Sequence, residues 1–503
     1  MAIHHDKMAY GKLAKTSEEV SEDRLAAMLK ELNGSEGDIK EIKIAYIGGG
    51  SKMWARVFMN DLALTGGLCG EIALYDIDKI AALRNQRIGE RINQSSNTIS
   101  KWKYTVCDRL EEALKGADFV VCSILPGTFN EMAADVHLPE KYGIYQSVGD
   151  TVGPGGVLRA MRTVPLYEGF ARAIAEVCPK AWTINFTNPM SICTKTLYDV
   201  FSDIKAFGCC HEVFHAQELL ACVASEVLGI PRPDRHEIII DASGINHFTW
   251  ITEARYNGVD LLALLPQFAD MYCEIGYCEQ LGFDKYAHLG DNPFLYGNKV
   301  KLDLFSRYGV LAAAGDRHLV EFLNNDWYIR NPAQVEEWKY HLTSVDYRRA
   351  DQRAKIEESE LMASGAKPVN VKRSDEEAIA LMQAVLGGEK IISNVNMPNR
   401  GQMPDMPLGT VVETNCVFSQ NSVEPIVANK LPPAVTNLVY RNAVNIETCY
   451  HGIKTRNPDE IFASFVNQPL CSRLSLDEAH ALFKEMIEAT SYYLKDFYNL
   501  TKI

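Results

Sequence analysis

The chain has 503 residues, of which 47% are hydrophobic and 23% are charged, and its formal net charge is −14. A chain of this length can bury a large core and divide into about two or three domains. The acidic balance argues against nucleic acid or anionic lipid as a partner, because both would repel the protein. The sequence contains no apolar run long enough to cross a membrane, so no membrane partner is expected.

The thirteen cysteines are an odd number and do not show the regular spacing of a disulfide framework. No signal peptide is recognised ahead of them, which favours the reducing cytosol as the location. We therefore expect free thiols and a cytoplasmic protein.

Residues 1–40 are predicted to form an extension that carries one amphipathic helix. Thr16 and Glu19 resemble a capping box, and apolar residues then recur at helical spacing as far as Leu32. Such a helix needs a surface to cover, either on the body of the protein or on another subunit. We expect a homo-oligomer, either a dimer or a tetramer.

An apolar strand at 42–47 leads directly into a glycine-rich turn, and the next strand ends at Asp76. The turn residues are Gly48, Gly49, Gly50 and Ser51. Glycines let the backbone approach a pyrophosphate closely, and the helix that follows offers it free N–H groups. An acidic residue at the end of the second strand is placed to bind the ribose hydroxyls. The pattern predicts a site for NAD rather than NADP, because no arginine directly follows Asp76.

Strands and helices alternate from Ile42 to about Cys210. Strands are predicted at 42–47, 71–76, 103–107, 118–124, 181–186 and 205–210, and helices at 51–65, 78–93, 131–141, 157–177 and 190–200. The alternation predicts an α/β fold with an N-terminal Rossmann-type doubly wound parallel sheet, whose ligands bind beyond the carboxyl ends of the strands.

After Cys210 the pattern loosens, with a helix near 213–227 and a strand at 236–241. This part is predicted to form a second, mainly helical α+β domain. The expected domains are therefore an extension at 1–40, an NAD-binding domain at 41–210, and a domain for substrate, metal and oligomer contacts at 211–503.

Four polar segments fall where predicted strands end or lead into helices. They are 185–189, 209–212, 244–247 and the glycine-rich loop 148–156, which contains Asp150. Each segment alone is ordinary turn chemistry, but together at one edge of a sheet they predict a site. Cys210 and His247 could supply two ligands to one divalent ion and leave positions open for substrate oxygens.

Segments 47–51, 148–156, 185–189, 210–212 and 244–247 together resemble glycoside hydrolase family 4, the NAD- and metal-dependent glycosidases. The resemblance covers nearly the whole chain from Lys43. It implies that Cys210 and His247 bind a divalent metal, usually Mn2+. It also implies that Asn188 binds the substrate and that Asp150 lies near the sugar.

The same resemblance implies a reaction in which NAD+ takes a hydride from C3 of the sugar. A base then removes the C2 proton, the C1 substituent leaves, water adds and the hydride returns. Family members use a tyrosine or an aspartate as the base. We expect Asp303 in that role, with Tyr308 as the alternate and Asp150 as a further catalytic carboxylate.

The motif Cys210-His211-Glu212 resembles the form found in α-galacturonidases, so α-linked uronides, above all α-galacturonides or oligouronides, are the expected substrates. The residues expected to contact the sugar are His211, Glu212 and Asn246. Arg307 or Arg317 is expected to hold the uronate carboxylate, because a planar guanidinium binds a carboxylate bidentately. The alternative for Arg307 is a solvated helix pair with Asp303, four residues earlier.

Other substrate classes of the same family stay open at this point, namely neutral α-galactosides, α-glucosides and α-glucuronides. A lactate/malate-type NAD dehydrogenase would share the predicted nucleotide-binding domain. Such an enzyme needs no cysteine-bound metal, however, and the chain lacks the His-Gly-Asp segment expected of it.

Overall fold

The computed structural model describes residues 39–281 and 292–500, and the amphipathic helix predicted within residues 1–40 lies outside them. The described strands form one 13-stranded sheet. They are β1 (Lys40–Ile47), β2 (Leu68–Tyr75), β3 (Trp102–Cys107), β4 (Phe119–Cys122), β5 (Trp182–Asn185), β6 (Lys205–Gly208), β7 (Ile239–Ile245), β8 (Phe248–Tyr256), β9 (Val259–Asp260), β10 (Leu311–Ala312), β11 (Ile391–Pro398), β12 (Val411–Ser419) and β13 (Ser422–Pro425).

Helices cover both faces of this sheet and build most of the second half of the chain. In the described ranges they are α1 (Trp54–Ala63), α2 (Lys79–Ile92), α3 (Leu110–Leu114), α4 (Phe129–His137), α5 (Gly153–Val177), α6 (Met190–Val200), α7 (Glu212–Leu228), α8 (Leu265–Tyr272), α9 (Lys299–Tyr308), α10 (Asp316–Leu319), α11 (Asn325–Tyr328), α12 (Pro332–Glu337), α13 (Val345–Ser364), α14 (Ala378–Val385), α15 (Pro433–Thr455), α16 (Pro458–Val466) and α17 (Leu476–Thr490). Among these helices none combines the length and the apolar character that a membrane span requires.

The first six strands are parallel and lie in the order β3-β2-β1-β4-β5-β6. This is the strand order of a dinucleotide-binding sheet, so the predicted Rossmann-type half is confirmed. The order reverses between β1 and β4, where Ile47 pairs with Cys122. A crevice opens at such a reversal beyond the carboxyl ends of the strands, and ligands bind there.

Helix α5 begins at Gly153, earlier than the predicted start at 157. A Cβ atom on Gly155 would lie 2.7 Å from the carbonyl oxygen of Gly149, and one on Gly156 would lie 2.6 Å from the carbonyl carbon of Thr151. Glycine is therefore required where the loop that carries Asp150 folds back on the first turn of α5. The sequence predicts a loop at residues 153–156 because glycines disfavour helix. In the structure these glycines lie inside the helix and allow the loop that carries Asp150 to pack closely against it.

The strands of the second half extend the same sheet. Strand β11 runs antiparallel to β6 through Asn396 and Gly208, and β12, β7, β8 and β10 follow in that order. The strand predicted at 236–241 instead spans Ile239–Ile245, because Asp234 caps a short 3-10 turn at Arg235–Glu237. Helices dominate the remaining residues, as the predicted α+β class requires. The domain boundary near Cys210 stays a prediction.

A large core lies between the β7–β8 hairpin, α5 and helices α15 to α17. Trp250 is fully buried, and the rings of Phe248 and Phe322 stack with centroids 4.9 Å apart. Burying one such side chain stabilises the fold by roughly 1.5–3 kcal/mol. This packing fixes the hairpin and therefore the position of His247 at its tip.

Candidate active site

The turn after β1 is closed so tightly that its three glycines cannot be replaced without displacing neighbours. Gly48 has a φ of +95°, and a Cβ atom on it would lie 1.9 Å from the carbonyl oxygen of Ser123. On Gly49 the Cβ would lie 2.8 Å from the Leu74 Cβ. Helix α1 follows without a side-chain hydrogen bond at its N-cap. A bare backbone turn leading into a helix N-terminus is the arrangement that receives a pyrophosphate.

Asp76 lies where the sequence predicts it, directly after β2. Its Oδ2 atom accepts a hydrogen bond of 2.7 Å from the Gly50 amide, and its Oδ1 atom accepts one of 2.8 Å from the Asp78 amide. Two amides thus fix the carboxylate beside the glycine turn. Each carboxylate oxygen can accept more than one hydrogen bond, so the ribose hydroxyls can still be bound. Ser51 continues the turn, with its amide donating to the Gly48 carbonyl at 3.0 Å.

A cluster formed by Asp150, His247 and His318 lies beyond the strand ends, and the ligand atoms of its three side chains all lie within 4.8 Å of one another. The Thr151 hydroxyl donates to Asp150 Oδ1 at 2.8 Å and lies 2.9 Å from His247 Nδ1. Because that hydroxyl has one proton, His247 Nδ1 carries the proton of the second hydrogen bond. His247 Nε2 then keeps a lone pair, which is the form that binds a metal.

His247 reaches the cluster from the two-residue tip of the β7–β8 hairpin. Its backbone adopts a left-handed conformation with a φ of 63°, which is uncommon for a residue other than glycine. The prediction left His247 in a loop beyond a strand that ended at 241. The longer strand and the tight turn give the imidazole a rigid support, and this suits a side chain that must hold a ligand.

The charges around the cluster favour a cation. Burial alone would raise the pKa of Asp150, but the charge of Arg159 and the hydrogen bond from Thr151 oppose it, and that pKa lies well below its usual range. Burial and the neighbouring His247 lower the pKa of His318 to about 3. Burial also lowers the pKa of His247. Both imidazoles are therefore neutral beside an ionised carboxylate, as metal ligands must be.

Cys210 follows β6, is buried, and lies beside the side chain of Asn246. Burial raises the pKa of its thiol well above the usual value, and the carboxylates of Glu413 and Glu212 raise it further. The thiol does not belong to the group of atoms within 4.8 Å found among the described residues. It nevertheless adjoins Asn246, the hairpin neighbour of His247, and a divalent ion would reverse the rise in its pKa.

Glu212 connects the loop after β6 to the segment that carries His318. Its Oε2 atom accepts a hydrogen bond of 2.7 Å from the Gly315 amide, and its Oε1 atom lies 3.5 Å from His318 Nε2. Burial opposes its ionisation, but the charges of His318, His215 and His211 lower its pKa well below the usual range. The His211 ring in turn stacks on Trp54 at 5.9 Å, so this loop adjoins the start of α1.

Comparison with known proteins shows the family of this chain. The sequence model of family 4 glycosyl hydrolases matches residues 43–226, and the model of the C-terminal domain of that family matches residues 242–471. The chain belongs to glycosyl hydrolase family 4. It is therefore a glycosyl hydrolase, in agreement with the resemblance seen in its motifs.

Three similar proteins illustrate the relationship. An α-galacturonidase of Thermoanaerobacterium saccharolyticum is 49% identical, over 92% of this chain and 98% of that protein. The crystal structure of lplD from Bacillus subtilis is 44% identical with a TM-score of 0.83, and the match covers 89% of this chain and 99% of the other. A 6-phospho-α-glucosidase from gut microorganisms, solved with NAD and Mn2+, is 19% identical with a TM-score of 0.70, over 90% and 99% of the two chains. At that identity the last protein shows the shared fold alone.

In this family 4 chain Asn188 lies directly beside the cluster. Its Nδ2 atom donates to Asp150 Oδ2 at 3.3 Å, and its backbone carbonyl accepts from Arg159 Nε at 3.0 Å. The Asn188 Oδ1 atom is buried and has no hydrogen-bond partner within the described ranges. The amide nitrogen and oxygen of Asn246 are likewise buried and unpartnered there. Unpaired buried polar atoms are costly, so these atoms indicate a bound polar ligand.

Asp303 and Tyr308 lie on α9, and their contacts do not involve the cluster. Asp303 Oδ2 accepts hydrogen bonds from Arg307 Nε at 2.7 Å and from the Tyr328 hydroxyl at 2.6 Å. The Arg307 side chain is 59% exposed, which matches the solvated helix pair considered as the alternative. Tyr308 packs edge-on against Trp250 at 6.0 Å. The catalytic role of Asp303 and Tyr308 stays a prediction.

Arg317 is buried and precedes His318 on α10. Its guanidinium lies 5.0 Å from the centre of the Phe294 ring, and its Nε atom has no hydrogen-bond partner in the described part of the chain. Burial lowers its pKa, while the charges of Glu212 and Asp150 raise it, which places the guanidinium near both carboxylates. Of the two arginines predicted to hold a carboxylate, Arg317 is the one that adjoins the cluster.

Several residues at this site were not assigned from the sequence. They are Thr151, Arg159, Glu321 and Arg348, and a metal-ligand role was not assigned to His318. His318 lies in a polar segment after the two-residue strand β10. A strand of two residues gives no recognisable pattern in the sequence. The other four reach the site through packing between distant parts of the chain, and no local motif marks them.

Proposed function

We propose that this family 4 enzyme hydrolyses α-linked galacturonides and uses NAD and a divalent metal, preferably Mn2+. The observation that carries the proposal is the buried Arg317, whose Nε atom has no hydrogen-bond partner in the described residues and which directly precedes His318 of the cluster. A neutral sugar offers no counter-charge to such a cation, whereas a uronate carboxylate does. The α-galacturonidase from Thermoanaerobacterium saccharolyticum, at 49% identity, supports the same substrate.

The residues of the glycine turn fit NAD. The backbone of Gly48 to Ser51 would face the pyrophosphate, and Asp76 would accept hydrogen bonds from the ribose hydroxyls. When bound, NAD+ would accept a hydride from C3 of the sugar and return it at the end of the reaction. Trp54, at the start of the helix after this turn, stacks on His211 of the loop after β6, so the two segments are in contact.

The residues around Asp150 fit a divalent ion. His247 and His318 would supply neutral imidazole nitrogens and Asp150 a carboxylate oxygen, a mixed donor set for a divalent first-row metal in which the carboxylate suits Mn2+. Cys210, expected as a ligand from the family motif, lies beside the side chain of Asn246, which precedes His247 in the chain. A bound ion would act as a Lewis acid toward the sugar oxygens.

The sugar would lie among the unpaired polar atoms. We assign Asn188 Oδ1 and the Asn246 amide to sugar hydroxyls, because these atoms are buried without hydrogen-bond partners in the described residues. His211 and Glu212 adjoin the same space. Glu212 also anchors the Gly315 amide, so it contributes to the sugar site while holding α10 in place.

The reaction needs a base that removes the proton from C2 of the sugar. Asp303 remains our candidate from the sequence, with Tyr308 as its alternate, and Asp150 adjoins the sugar. Tyr296 is a structural alternative, because its buried ring lies against Gly315, where a Cβ atom would lie 2.7 Å from it. A base must come within hydrogen-bond reach of the proton that it removes.

All thirteen cysteines lie in the described ranges and are free thiols. This supports a cytoplasmic location, since thiols in such number would be oxidised outside the cell. We also propose a homo-oligomer, on the ground that the predicted helix within residues 1–40 needs a surface to cover.

The test is an assay of 4-nitrophenyl α-galacturonide, α-glucuronide and α-galactoside with NAD+, Mn2+ and a thiol reductant. We expect the galacturonide to give the highest kcat/KM, without net formation of NADH. Comparable turnover of the galactoside would instead indicate a neutral α-galactosidase of the same family. Stoichiometric NADH would indicate a dehydrogenase.

A further inference from the structure

Arg317 on α10 is buried and Arg348 on α13 is partly buried near the cluster, and neither makes a salt bridge in the described part of the chain. The Nε atom of each is buried and makes no hydrogen bond within residues 39–281 and 292–500. Neither guanidinium forms an ion pair in that part of the chain, although many exposed arginines do, such as Arg307 and Arg349. A buried guanidinium without a counter-ion is costly, so the pair indicates a site for an anion.

The two arginines face the same space. The Arg317 guanidinium lies over the Phe294 ring, and that ring packs edge-on against Tyr347 with centroids 6.1 Å apart. Tyr347 directly precedes Arg348. Burial lowers the pKa of Arg348 to about 10, and the charge of Arg317 acts in the same direction. The charge of Asp150 raises the pKa of both arginines, so the two guanidiniums lie near each other and near Asp150.

The segments that hold them meet on the loop that carries Asp150. The Thr343 amide, just before α13, donates to the Ser147 carbonyl at 3.0 Å. The Ser147 hydroxyl donates to the Arg317 carbonyl. The loop therefore lies between the start of α13 and helix α10, which fixes Arg317 and Arg348 relative to Asp150.

The carboxylates nearby are already engaged by other donors. Glu321 Oε1 accepts from the amides of Val148 at 2.7 Å and Gly149 at 3.0 Å. Asp150 accepts from the Thr151 hydroxyl and from Asn188. Burial also raises the pKa of Glu321 to about 7, so its charge is incomplete at neutral pH. Asp150 and Glu321 raise the pKa of both guanidiniums, but neither carboxylate forms a salt bridge with Arg317 or Arg348 in the described residues.

We propose that Arg317 and Arg348 together bind the carboxylate of the galacturonide and that Arg348 is a specificity-determining residue. This inference rests on the proposed function and names the side chains behind it. Guanidiniums from two different helices can each donate to the carboxylate, which gives charge-assisted and directional hydrogen bonds. A neutral galactoside places a hydroxymethyl group there and leaves both cations unpaired, so it is discriminated against.

The experiment uses the full chain with NAD+ and Mn2+ and compares Arg348→Met, Arg348→Lys and Arg317→Met with the wild type. The readout is the ratio of kcat/KM for 4-nitrophenyl α-galacturonide to that for the α-galactoside. We expect this ratio to fall about 10–100-fold in the two methionine variants, the range for a lost hydrogen bond between charged groups. Arg348→Lys keeps the charge without the planar fork, and it should retain an intermediate ratio.

Arg349→Met is the matched control. Arg349 is the next residue on the same helix, but its guanidinium bonds Asp346 at 3.0 Å and Asn130 at 2.8 Å at the surface. It should keep the wild-type ratio. Calorimetry with D-galacturonate and D-galactose gives a second readout, in which the methionine variants should lose the preference for the acid.

The two possible failures are distinguishable. If the wild type prefers the galacturonide while Arg348→Met and Arg348→Lys keep both its ratio and its affinity for galacturonate, the arginine pair is overturned and the proposed function stands. If the wild type prefers the galactoside, the proposed function fails. Carboxylate binding by Arg317 and Arg348 is then tested by the affinity measurements alone. Equal wild-type affinities for galacturonate and galactose would disprove it as well.

Discussion

The imidazole rings of His247 and His318 lie with their centroids 3.9 Å apart and an angle of 34° between them. One ring comes from the tip of a β-hairpin and the other from helix α10, so the fold brings them together from separate elements. Burial keeps both neutral, and each therefore offers a nitrogen lone pair beside the ionised Asp150. Two neutral imidazoles and a carboxylate within 4.8 Å are a donor set for a cation.

We expect His318→Ala to reduce bound Mn2+ as strongly as His247→Ala does, because each variant removes one of the three donors. Metal content after dialysis, measured by elemental analysis, and the Kd for Mn2+, measured by calorimetry, check this. The Kd should rise at least about 10-fold in both variants. NAD+ binding should change little, since the glycine turn lies elsewhere.

His236→Ala is the matched control for these variants. His236 is exposed and pairs with Asp234, so its removal should leave the metal content unchanged. Cys210→Ser belongs in the same series, because the family motif assigns the thiol to the metal. Full metal content in Cys210→Ser would show that the Cys210 thiol is not a metal ligand. Full metal content in His318→Ala would show the same for the His318 imidazole.

The second prediction concerns the cofactor. NAD+ should bind at least about 10-fold more tightly than NADP+, because the 2′-phosphate would meet the Asp76 carboxylate. Amides of Gly50 and Asp78 hold that carboxylate, so it cannot turn away without breaking two hydrogen bonds. Fluorescence titration of both cofactors measures the ratio, and Asp76→Asn should bring it closer to one.

Asp118→Asn serves as the control for Asp76→Asn. Asp118 accepts a hydrogen bond of 2.8 Å from the Lys43 amide, but it precedes β4 and so lies at the amino end of the strands. It should not affect the cofactor ratio. Equal affinity of the wild type for NAD+ and NADP+ would remove the ribose role of Asp76.

The nucleotide site could be predicted from the sequence because it is built from neighbouring elements. Gly48 and Asp76 belong to one strand–helix–strand unit, and the glycines are required by contacts within or beside that unit. Local spacing therefore contains most of the information. The strands of the parallel half were predicted near their observed bounds for the same reason, since their apolar runs are buried on both faces.

Arg348 and Glu321 show what local patterns leave out. Glu321 follows α10 and binds the amides of Val148 and Gly149, while Arg348 reaches the same loop from α13. Nothing in either neighbourhood distinguishes these side chains from surface residues of a polar helix. Long-range packing buries Glu321 and partly buries Arg348, so a single sequence gives no signal for either residue. Arg307, in contrast, has a favourable local motif and lies in an exposed pair.

The third prediction addresses the base. If Asp303 removes the C2 proton, Asp303→Asn should slow the exchange of that proton with solvent deuterium about 10²–10⁴-fold, and substrate binding should persist. NMR of the sugar in D2O with NAD+ and Mn2+ measures the exchange. Tyr296→Phe should then exchange at nearly the wild-type rate. The reverse result, with slow exchange in Tyr296→Phe alone, would transfer the role to Tyr296.

The last prediction concerns the pH dependence of stability and rests on Glu413, a buried residue of β12 near Cys210. Burial raises the pKa of Glu413 to about 7, against the hydrogen bonds that it accepts from Thr249 and from Asn396, the latter at 2.8 Å. Because the folded state holds the proton more tightly than the unfolded chain, protonation of Glu413 stabilises the fold. That contribution is fully present below about pH 4 and is lost as the pH rises through about 7.

Glu413→Gln cannot ionise and should therefore lose less stability than the wild type between about pH 5 and pH 8. The gap in unfolding free energy should widen with pH by up to about 3 kcal/mol, as measured by denaturant unfolding of the metal-free protein in a chelator. Glu424→Gln, an exposed change on the adjacent strand β13, is the control and should follow the wild-type profile. Parallel profiles for Glu413→Gln and the wild type would mean that Glu413 stays ionised in the folded protein. Its negative charge, and not a neutral carboxyl group, would then act on the nearby Cys210 thiol.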